Sequence, residues 1–322
     1  MHLSRTQREV VGPTYTEVMD IDALKKELAD LEGGSFTALP DSALLEQIRR
    51  LHTGFVIRAP VHPVETRIFR AVKVSERPSN KARVSYPPQQ FVTSNGRLNR
   101  PGEVMFYGSV GQPFSCLYEC AWKIGEFFAV SAWLTTQPIL LNHLGYTTAA
   151  LQALKAAGRA VPSFAQVSND SEQNKIIREW QARVFTQQVP PGQEQLYRLP
   201  IALKDLALSN VTQPHPSGGP VKFSGVIYPS VAMWALADNV ALLPAEVDSK
   251  LALFEVILLT VDSTSEVATP DGSKNTTVNI KHYDTARADG NGDLVWGQTS
   301  QLITPDGTDA SKLPPPRVLP PV

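Results

Sequence analysis

The sequence predicts an α+β protein, because helix-forming and strand-forming segments are grouped along the chain rather than alternating regularly. Leu24, Leu28 and Leu31 recur at helical spacing before a Gly-Gly pair, which predicts a helix near the start of the chain. The runs TRIFRAVKV (66–74) and VKFSGVIYP (221–229) predict strands, and helix-forming sequence lies between them. With 322 residues and 42% hydrophobic content, the chain can bury the core of a large globular domain with additions.

The other elements follow from the same patterns. The segment QPFSCLYECAWKIGEFFAVSAWL (112–134) is predicted as the strongest helix, since Leu117, Ala121 and Phe128 share one face and Pro113 suits the first turn. Further helices are predicted at SALLEQIRRL, TTAALQALKAAG and NKIIREWQARVF, and a further strand at GFVIRAPV. TTVNIKHY and DLVWGQTSQLI predict a C-terminal β-hairpin, and PPPRVLPPV predicts an extended tail.

Charge and hydropathy argue against two classes of partner. The net charge is −1, whereas duplex DNA and anionic membranes usually bind basic surfaces, so we expect no nucleic-acid partner. The longest apolar run, LFEVILLTV (253–261), is far shorter than the ~20 residues of a spanning helix. It predicts a buried strand, and we expect no membrane partner. The first residues lack the apolar stretch of a secretory signal and the two cysteines do not suit a disulfide, so we expect a cytoplasmic protein.

Several catalytic motifs are missing from the sequence. The six histidines are scattered without HExxH, and there is no CxxC, so no metal site is predicted. DGNGDL (289–294) begins like a calcium loop but lacks the required glycine and closing glutamate, which favours a turn. Walker A and GxGxxG motifs are also missing, and YGSVG lacks the first glycine of a nucleophile elbow. Most hydrolase, kinase and dehydrogenase interpretations are thereby excluded.

The loop SNGRLNRPGEVMFYGS (94–109) allows two interpretations. Asn95 and Gly96 are typical of a tight hairpin turn with positive φ, which would leave Arg97 solvated. Alternatively, the glycines let the backbone approach an anion while Arg97 supplies a planar pair of donors. The loop alone favours the hairpin.

Three polar residues elsewhere are candidates for a site. Arg70 lies on the apolar face of a predicted strand, where it needs an anion or carboxylate unless the strand is at an edge and the side chain reaches water. Glu119 lies in the predicted 112–134 helix, where an ordinary surface ion pair with Lys123 is the alternative. Ser230 follows a Tyr-Pro pair at a strand end, where it could equally serve as a turn residue or a helix cap.

The order of these features resembles the RES-domain family, which is named for an arginine, a glutamate and a serine. The resemblance covers roughly residues 55–262. The stretches that carry it are FRA (69–71), GRLN (96–99), MFYGS (105–109), CLYECAW (116–122), SGVIYPSV (224–231) and NVALLP (239–244). By this resemblance Arg70, Glu119 and Ser230 occupy the three name-giving positions, and Arg97 and Tyr107 match its GR and Tyr positions.

The resemblance implies an ADP-ribosyltransferase-like fold with a split β-sheet core and an NAD cleft. It divides the chain into an N-terminal helical extension (1–54), a catalytic domain (55–262) with a helical insertion at about 131–220, and a C-terminal β-hairpin with a Pro-rich tail (263–322). It also implies a bacterial toxin of a toxin–antitoxin pair that consumes NAD as its substrate. An antitoxin protein and a second copy of the chain stay open as partners.

The residue types suit cleavage of the nicotinamide–ribose bond. A carboxylate such as Glu119 can stabilise the oxocarbenium-like ribose, while Arg70 and Arg97 can bind the pyrophosphate. Tyr107 could stack on nicotinamide or ribose, and Ser230 could bond a phosphate or amide. We expect an NAD glycohydrolase or phosphorylase, because the insertion should shield the cleft and favour water or phosphate as acceptor. The alternatives are a mono-ADP-ribosyltransferase acting on a protein and a non-catalytic binding module.

Overall fold

A mixed β-sheet of ten strands forms the centre of the protein, which confirms the predicted α+β class. The computed structural model describes residues 18–57, 59, 61–111, 113–120, 122–156, 171–187, 189–190, 192–209, 222–230, 237–268 and 274–303. The strands are β1 (Val61–His62), β2 (Arg67–Val74), β3 (Phe106–Gly111), β4 (Phe127–Thr135), β5 (Ile139–His143), β6 (Gly225–Pro229), β7 (Ala237–Leu242), β8 (Leu251–Ala268), β9 (Lys274–Ala288) and β10 (Leu294–Trp296). Their order is β1-β5-β6-β7-β3-β2-β4-β8-β9-β10, with β5 and β6 parallel and the other described neighbours antiparallel.

The sheet consists of two halves that meet at β2 and β3. All eight residues of β2 pair with β4, and all six of β3 pair with β7. Between β2 and β3, in contrast, the described pairing is limited to Phe69 and Ser109. Gly108 permits this close approach, because a Cβ atom there would lie 2.8 Å from Ile68 Cγ2 and 2.9 Å from the carbonyl oxygen of Phe69. The two half-sheets are therefore joined at a narrow contact.

Helices from the predicted N-terminal extension and from the predicted insertion pack together in one layer on the sheet. The described helices are α1 (Ile21–Glu32), α2 (Asp41–Leu51), α3 (Thr148–Ala156), α4 (Glu172–Thr186), α5 (Arg198–Leu208) and α6 (Pro244–Lys250). α1 packs on α4, α2 packs on α5, and both α4 and α5 contact β6. Their apolar faces share one core with the sheet, in which Leu28, Ile48, Trp180 and Tyr228 are buried. Within the described part of the chain, no helix has the length and apolar character needed to cross a membrane.

The prediction of a helix over 112–134 is wrong. A short 3₁₀ turn, Ser115–Glu119, stands at its start, and β4 occupies its end. Gly125 lies between them with φ of 85°, a conformation that favours glycine and is incompatible with a continuous helix. β4 lies between β2 and β8 and is buried on both faces, so its sequence is an almost continuous apolar run. Such a run contains apolar residues at helical spacing as well, and this ambiguity caused the error.

Two other predicted segments differ in detail. Among the described residues of the strand predicted at 54–61, only Val61 is in a strand, at the start of the two-residue β1. The insertion predicted at about 131–220 begins within β4 and contains β5 before its helices. β5 pairs with β6 in parallel, and a parallel pair requires a long connection, which α3, α4 and α5 provide. The helices predicted at 147–158 and 174–185 are confirmed as α3 and α4 where the structure describes them.

The predicted C-terminal hairpin is confirmed as β9 and β10, with Leu294 opposite Ala288. β9 also pairs along β8, and β8 runs through the boundary placed at residue 262. The C-terminal strands therefore continue the half of the sheet that contains β2, β4 and β8. The tail predicted at the end of the chain lies outside the described residues.

Candidate active site

Glu119 and Ser230 are hydrogen-bonded to each other, although they lie 111 positions apart in the chain. Ser230 Oγ donates to Glu119 Oε1 over 2.6 Å, and Asn239 Nδ2 donates to the same oxygen over 3.0 Å. Both donors are buried, at 1% and 7% exposure, whereas Glu119 is exposed. Glu119 Oε2 accepts no hydrogen bond from the described residues. One carboxylate oxygen is thus fixed by the protein, and the other has no hydrogen-bond donor among the described residues.

The turn that carries Glu119 begins at a strained backbone residue and is linked to the sheet by a buried hydrogen bond. Phe114, immediately before the turn, is fully buried with φ of 64°. This left-handed conformation costs a non-glycine residue about 1–2 kcal/mol and is tolerated where surrounding packing imposes it. Ser115 Oγ and Ser109 Oγ are 2.8 Å apart, which links the turn to β3. β3 therefore helps to position Glu119. The Glu119–Lys123 ion pair considered from the sequence does not form, because the predicted helix is replaced by the short turn.

Asn239 was not assigned a role from the sequence. It lies in β7 with Ser109 opposite on one side and Tyr228 opposite on the other. This central position brings Asn239 between the turn bearing Glu119 and the strand end bearing Ser230. The stretch NVALLP was a sequence signal for this segment, but nothing in it distinguishes Asn239 from an ordinary strand residue.

Arg70 connects the two half-sheets through its side chain. Its Nη1 donates to the carbonyl of Tyr107 over 2.7 Å, and its Nε donates to the carbonyl of Ser85 over 3.0 Å. Its guanidinium carbon also lies 5.5 Å from the centre of the Phe106 ring. Because β2 lies between β3 and β4, the edge-strand alternative for Arg70 is wrong.

The charge of Arg70 has no carboxylate counterpart among the described residues. Burial lowers the pKa of the guanidinium, although nearby Cys120, Cys116 and Tyr107 oppose that effect. A half-buried cation that is bonded only to neutral carbonyls is costly, and an anionic ligand would offset this cost. Arg70 is therefore a suitable anion-binding residue.

Two adjoining cavities meet at Arg70. The smaller has a volume of about 240 Å³, and the larger of about 540 Å³. Arg70, Pro87 and Phe91 line both. The loop 92–99 and Tyr107 close the smaller cavity, while β2 and the segment 75–88 surround the larger one. Together they form a concave surface in the size range of small-molecule sites.

The loop 96–99 is fixed by Tyr107. The Tyr107 hydroxyl donates to Asn99 Oδ1 over 2.7 Å and accepts from the Leu98 N–H over 2.9 Å. Burial raises the pKa of this hydroxyl, so it remains protonated and can act as the donor. The expected positive φ at Gly96 is wrong. Glycine is favoured there because a Cβ atom would clash with Asn99 Oδ1, which the Tyr107 hydroxyl holds in place.

Arg97 points from this loop to the end of α4. Its Nη1 donates to the carbonyl of Phe185 and, over 3.2 Å, to that of Gln187. Its guanidinium carbon lies 5.8 Å from the centre of the Tyr197 ring. Carbonyls at a helix C-terminus attract a cation, which explains this position. Arg97 does not line either of the two cavities, and its proposed role in phosphate binding stays a prediction.

Charged residues attach the same loop to the helical layer. Arg100 forms ion pairs with Asp41 of α2 over 3.2 Å and with Asp205 of α5 over 2.7 Å. Lys204 is buried and pairs with Glu103 and Asp205. The N-terminal helices therefore take part in positioning the loop that closes the smaller cavity.

The two cysteines are poor candidates for nucleophiles. Burial raises the pKa of the Cys120 thiol to about 11 and that of Cys116 further, so both are protonated at neutral pH. Among the described residues, no three His, Cys, Asp or Glu side chains are arranged so that they could hold a metal ion.

Apart from Arg97, the sequence candidates fall into two groups, the first of which also includes Asn239. Glu119, Ser230 and Asn239 form one, and Arg70 lies with Tyr107 beside the cavities. The turn bearing Glu119 packs against both β2 and β3, the strands that carry Arg70 and Tyr107. Comparison of the sequence with models of known families and with curated proteins finds no match.

Proposed function

We propose that the protein cleaves the nicotinamide–ribose bond of NAD and transfers the ADP-ribose to water or inorganic phosphate. The observation that carries this proposal is the exposed residue Glu119, whose carboxylate is fixed through Oε1 by the buried donors Ser230 and Asn239. A carboxylate whose orientation is fixed in advance stabilises a developing positive charge without reorganising during the reaction. The resemblance of the sequence to the RES-domain family supports the same chemistry.

In this mechanism the bond between ribose C1 and the nicotinamide nitrogen breaks, and its electron pair neutralises the pyridinium. Glu119 Oε2 stabilises the oxocarbenium-like ribose that remains, either directly or by holding its hydroxyls. A water or phosphate oxygen then forms the new bond to C1, and the attacking water loses its proton to solvent. Ser230 and Asn239 hold Glu119 in place, and Arg70 binds the pyrophosphate with its guanidinium.

The narrow junction of the sheet supports an ADP-ribosyltransferase-like fold. Such a fold has a split β-sheet core, and here β2 and β3 share a single described residue pair between two well-paired halves. Arg70 and the turn bearing Glu119 both lie at this junction. We extend the proposal to a cytoplasmic toxin restrained by an antitoxin protein, a role that rests on the family resemblance alone.

A mono-ADP-ribosyltransferase is the second candidate, and the exposure of Glu119 favours it. The described insertion helices α4 and α5 pack against α1, α2 and β6. A protein acceptor needs an accessible site, whereas a small acceptor tolerates a covered one.

The experiment is incubation of the purified protein with NAD labelled in the adenosine half, with and without phosphate, and in parallel with a cell lysate. We expect free nicotinamide together with ADP-ribose, or its phosphorylated form when phosphate is present. Label found mainly on a lysate protein would replace the first candidate with the transferase. No nicotinamide release under any of these conditions would refute both.

A further inference from the structure

Phe91 is an aromatic side chain left in water at the border of the two cavities. It is 68% exposed, the highest value among the large hydrophobic side chains of the described residues. Its backbone is fixed, since the Phe91 N–H donates to the Pro88 carbonyl over 3.0 Å and the next residue accepts from Gly102 N–H over 2.7 Å. The ring is therefore presented by an ordered 3₁₀ turn, Gln89–Phe91.

The larger cavity beside Phe91 has a wall whose charged residues are mainly basic. Arg70, Lys73, Arg77 and Arg83 line it, with Glu76 as the acidic residue in the lining. Lys73 and Arg77 are paired with Glu126 and Asp284. Arg83 is exposed and has no carboxylate partner among the described residues. Such a wall attracts an anionic ligand.

The sizes of the cavities indicate which of them can hold a nucleoside. The larger cavity, at about 540 Å³, lies within the ~300–1,000 Å³ typical of small-molecule sites, and the smaller, at about 240 Å³, lies below it. Arg70 is common to both and is suited to an anion. A ligand with a central pyrophosphate and two different ends fits this arrangement.

We propose that the ring of Phe91 stacks on the adenine base and that the larger cavity binds the adenosine half of the dinucleotide, with the pyrophosphate at Arg70. This inference rests on the proposed function for the identity of the dinucleotide. Aromatic side chains exposed beside a cationic groove bind bases in this way, because every base has a π-face. The nicotinamide end extends from Arg70 toward the turn that carries Glu119, which packs against β2 and β3.

The test compares Phe91→Ala, Phe91→Trp and Phe127→Ala by calorimetric titration with AMP and with nicotinamide mononucleotide. Phe127 is a matched control, because it is an exposed aromatic residue (37%) on β4 that does not line either cavity. Phe91→Ala should weaken AMP binding about 10- to 100-fold and leave nicotinamide mononucleotide binding unchanged. Phe91→Trp and Phe127→Ala should bind AMP as the unmodified protein does.

The outcomes separate this inference from the proposed function. The adenine site would be overturned if Phe91→Ala bound AMP as tightly as the unmodified protein does. It would also be overturned if Phe91→Ala lost affinity equally for AMP and nicotinamide mononucleotide, or if the unmodified protein did not bind AMP. If NAD is cleaved with an unchanged KM in Phe91→Ala, the inference fails while the proposed function stands. If NAD is not cleaved but AMP binding depends on Phe91, the adenosine site stands and the proposed function fails.

Discussion

Arg70 donates a hydrogen bond to the backbone carbonyl of Tyr107 over 2.7 Å, and it does so where backbone pairing between β2 and β3 stops. A side chain thus replaces the next inter-strand hydrogen bond at the junction of the two half-sheets. The same guanidinium faces two cavities. Arg70 therefore contributes both to the stability of the junction and to ligand binding. Variants of Arg70 must be measured for the free energy of unfolding and for ligand affinity.

Arg70→Lys should lower the free energy of unfolding by about 1–3 kcal/mol, because lysine lacks the planar fork that reaches the carbonyls of Tyr107 and Ser85 together. Urea denaturation measures this change. Arg83→Lys is the matched control, since Arg83 is exposed and should change stability by less than about 0.5 kcal/mol. Equal stability of the two variants would show that the carbonyl contacts of Arg70 do not support the junction.

Glu119→Gln should keep the fold and reduce nicotinamide release from NAD at least ~100-fold, the scale of losing one preorganised electrostatic contact. The amide is nearly isosteric but carries no charge to stabilise the ribose cation. Asn239→Ala should reduce the rate less, because Ser230 still holds Glu119 Oε1. Turnover of NAD by Glu119→Gln at the unmodified rate would remove Glu119 from the mechanism.

Arg97→Ala should lower the free energy of unfolding by about 1–2 kcal/mol, because the carbonyls at the end of α4 lose a charged donor. Thermal denaturation of the unliganded protein measures this effect. The phosphate-binding role predicted from the sequence requires an additional loss of about 1.5–3 kcal/mol in NAD affinity, measured where the variant is folded. Unchanged NAD affinity would leave Arg97 with the helix-capping role alone.

The sequence predicted individual strands well where apolar and polar residues alternate along the strand or where turn residues bound it, as at β2 and β9. It failed at 112–134, because burial on both faces of β4 removes the alternation that distinguishes a strand from a helix. Glu119 and Ser230 were named from motif order, but their contact depends on the register of β3, β6 and β7. Asn239 was missed for the same reason, since an asparagine within a strand has no local sequence feature that reveals a distant partner.

The last prediction concerns pH and a buried carboxylate outside the site. Burial alone would raise the pKa of Glu246, but hydrogen bonds from Lys250, Ser224 and Lys222 outweigh it and lower the pKa to about 2. Lys250 Nζ lies 2.6 Å and Lys222 Nζ 3.0 Å from the carboxylate oxygens. The hydrogen bond from Ser224 to Glu246 attaches α6 to the start of β6.

Because the folded-state pKa is below the ordinary value of 4.5, the contribution of Glu246 to stability is fully present above that value and is lost as the pH falls toward 2. We expect this contribution to be about 2 kcal/mol, since Lys222 is largely exposed and its attraction is screened. Urea denaturation of the unmodified protein and of Glu246→Gln between pH 6 and pH 2 tests this. The difference in unfolding free energy between the two should shrink as the pH falls through this window, because protonation removes in the unmodified protein the charge that the variant already lacks. A difference that stays constant down to pH 2 would mean that the charge of Glu246 does not stabilise the fold.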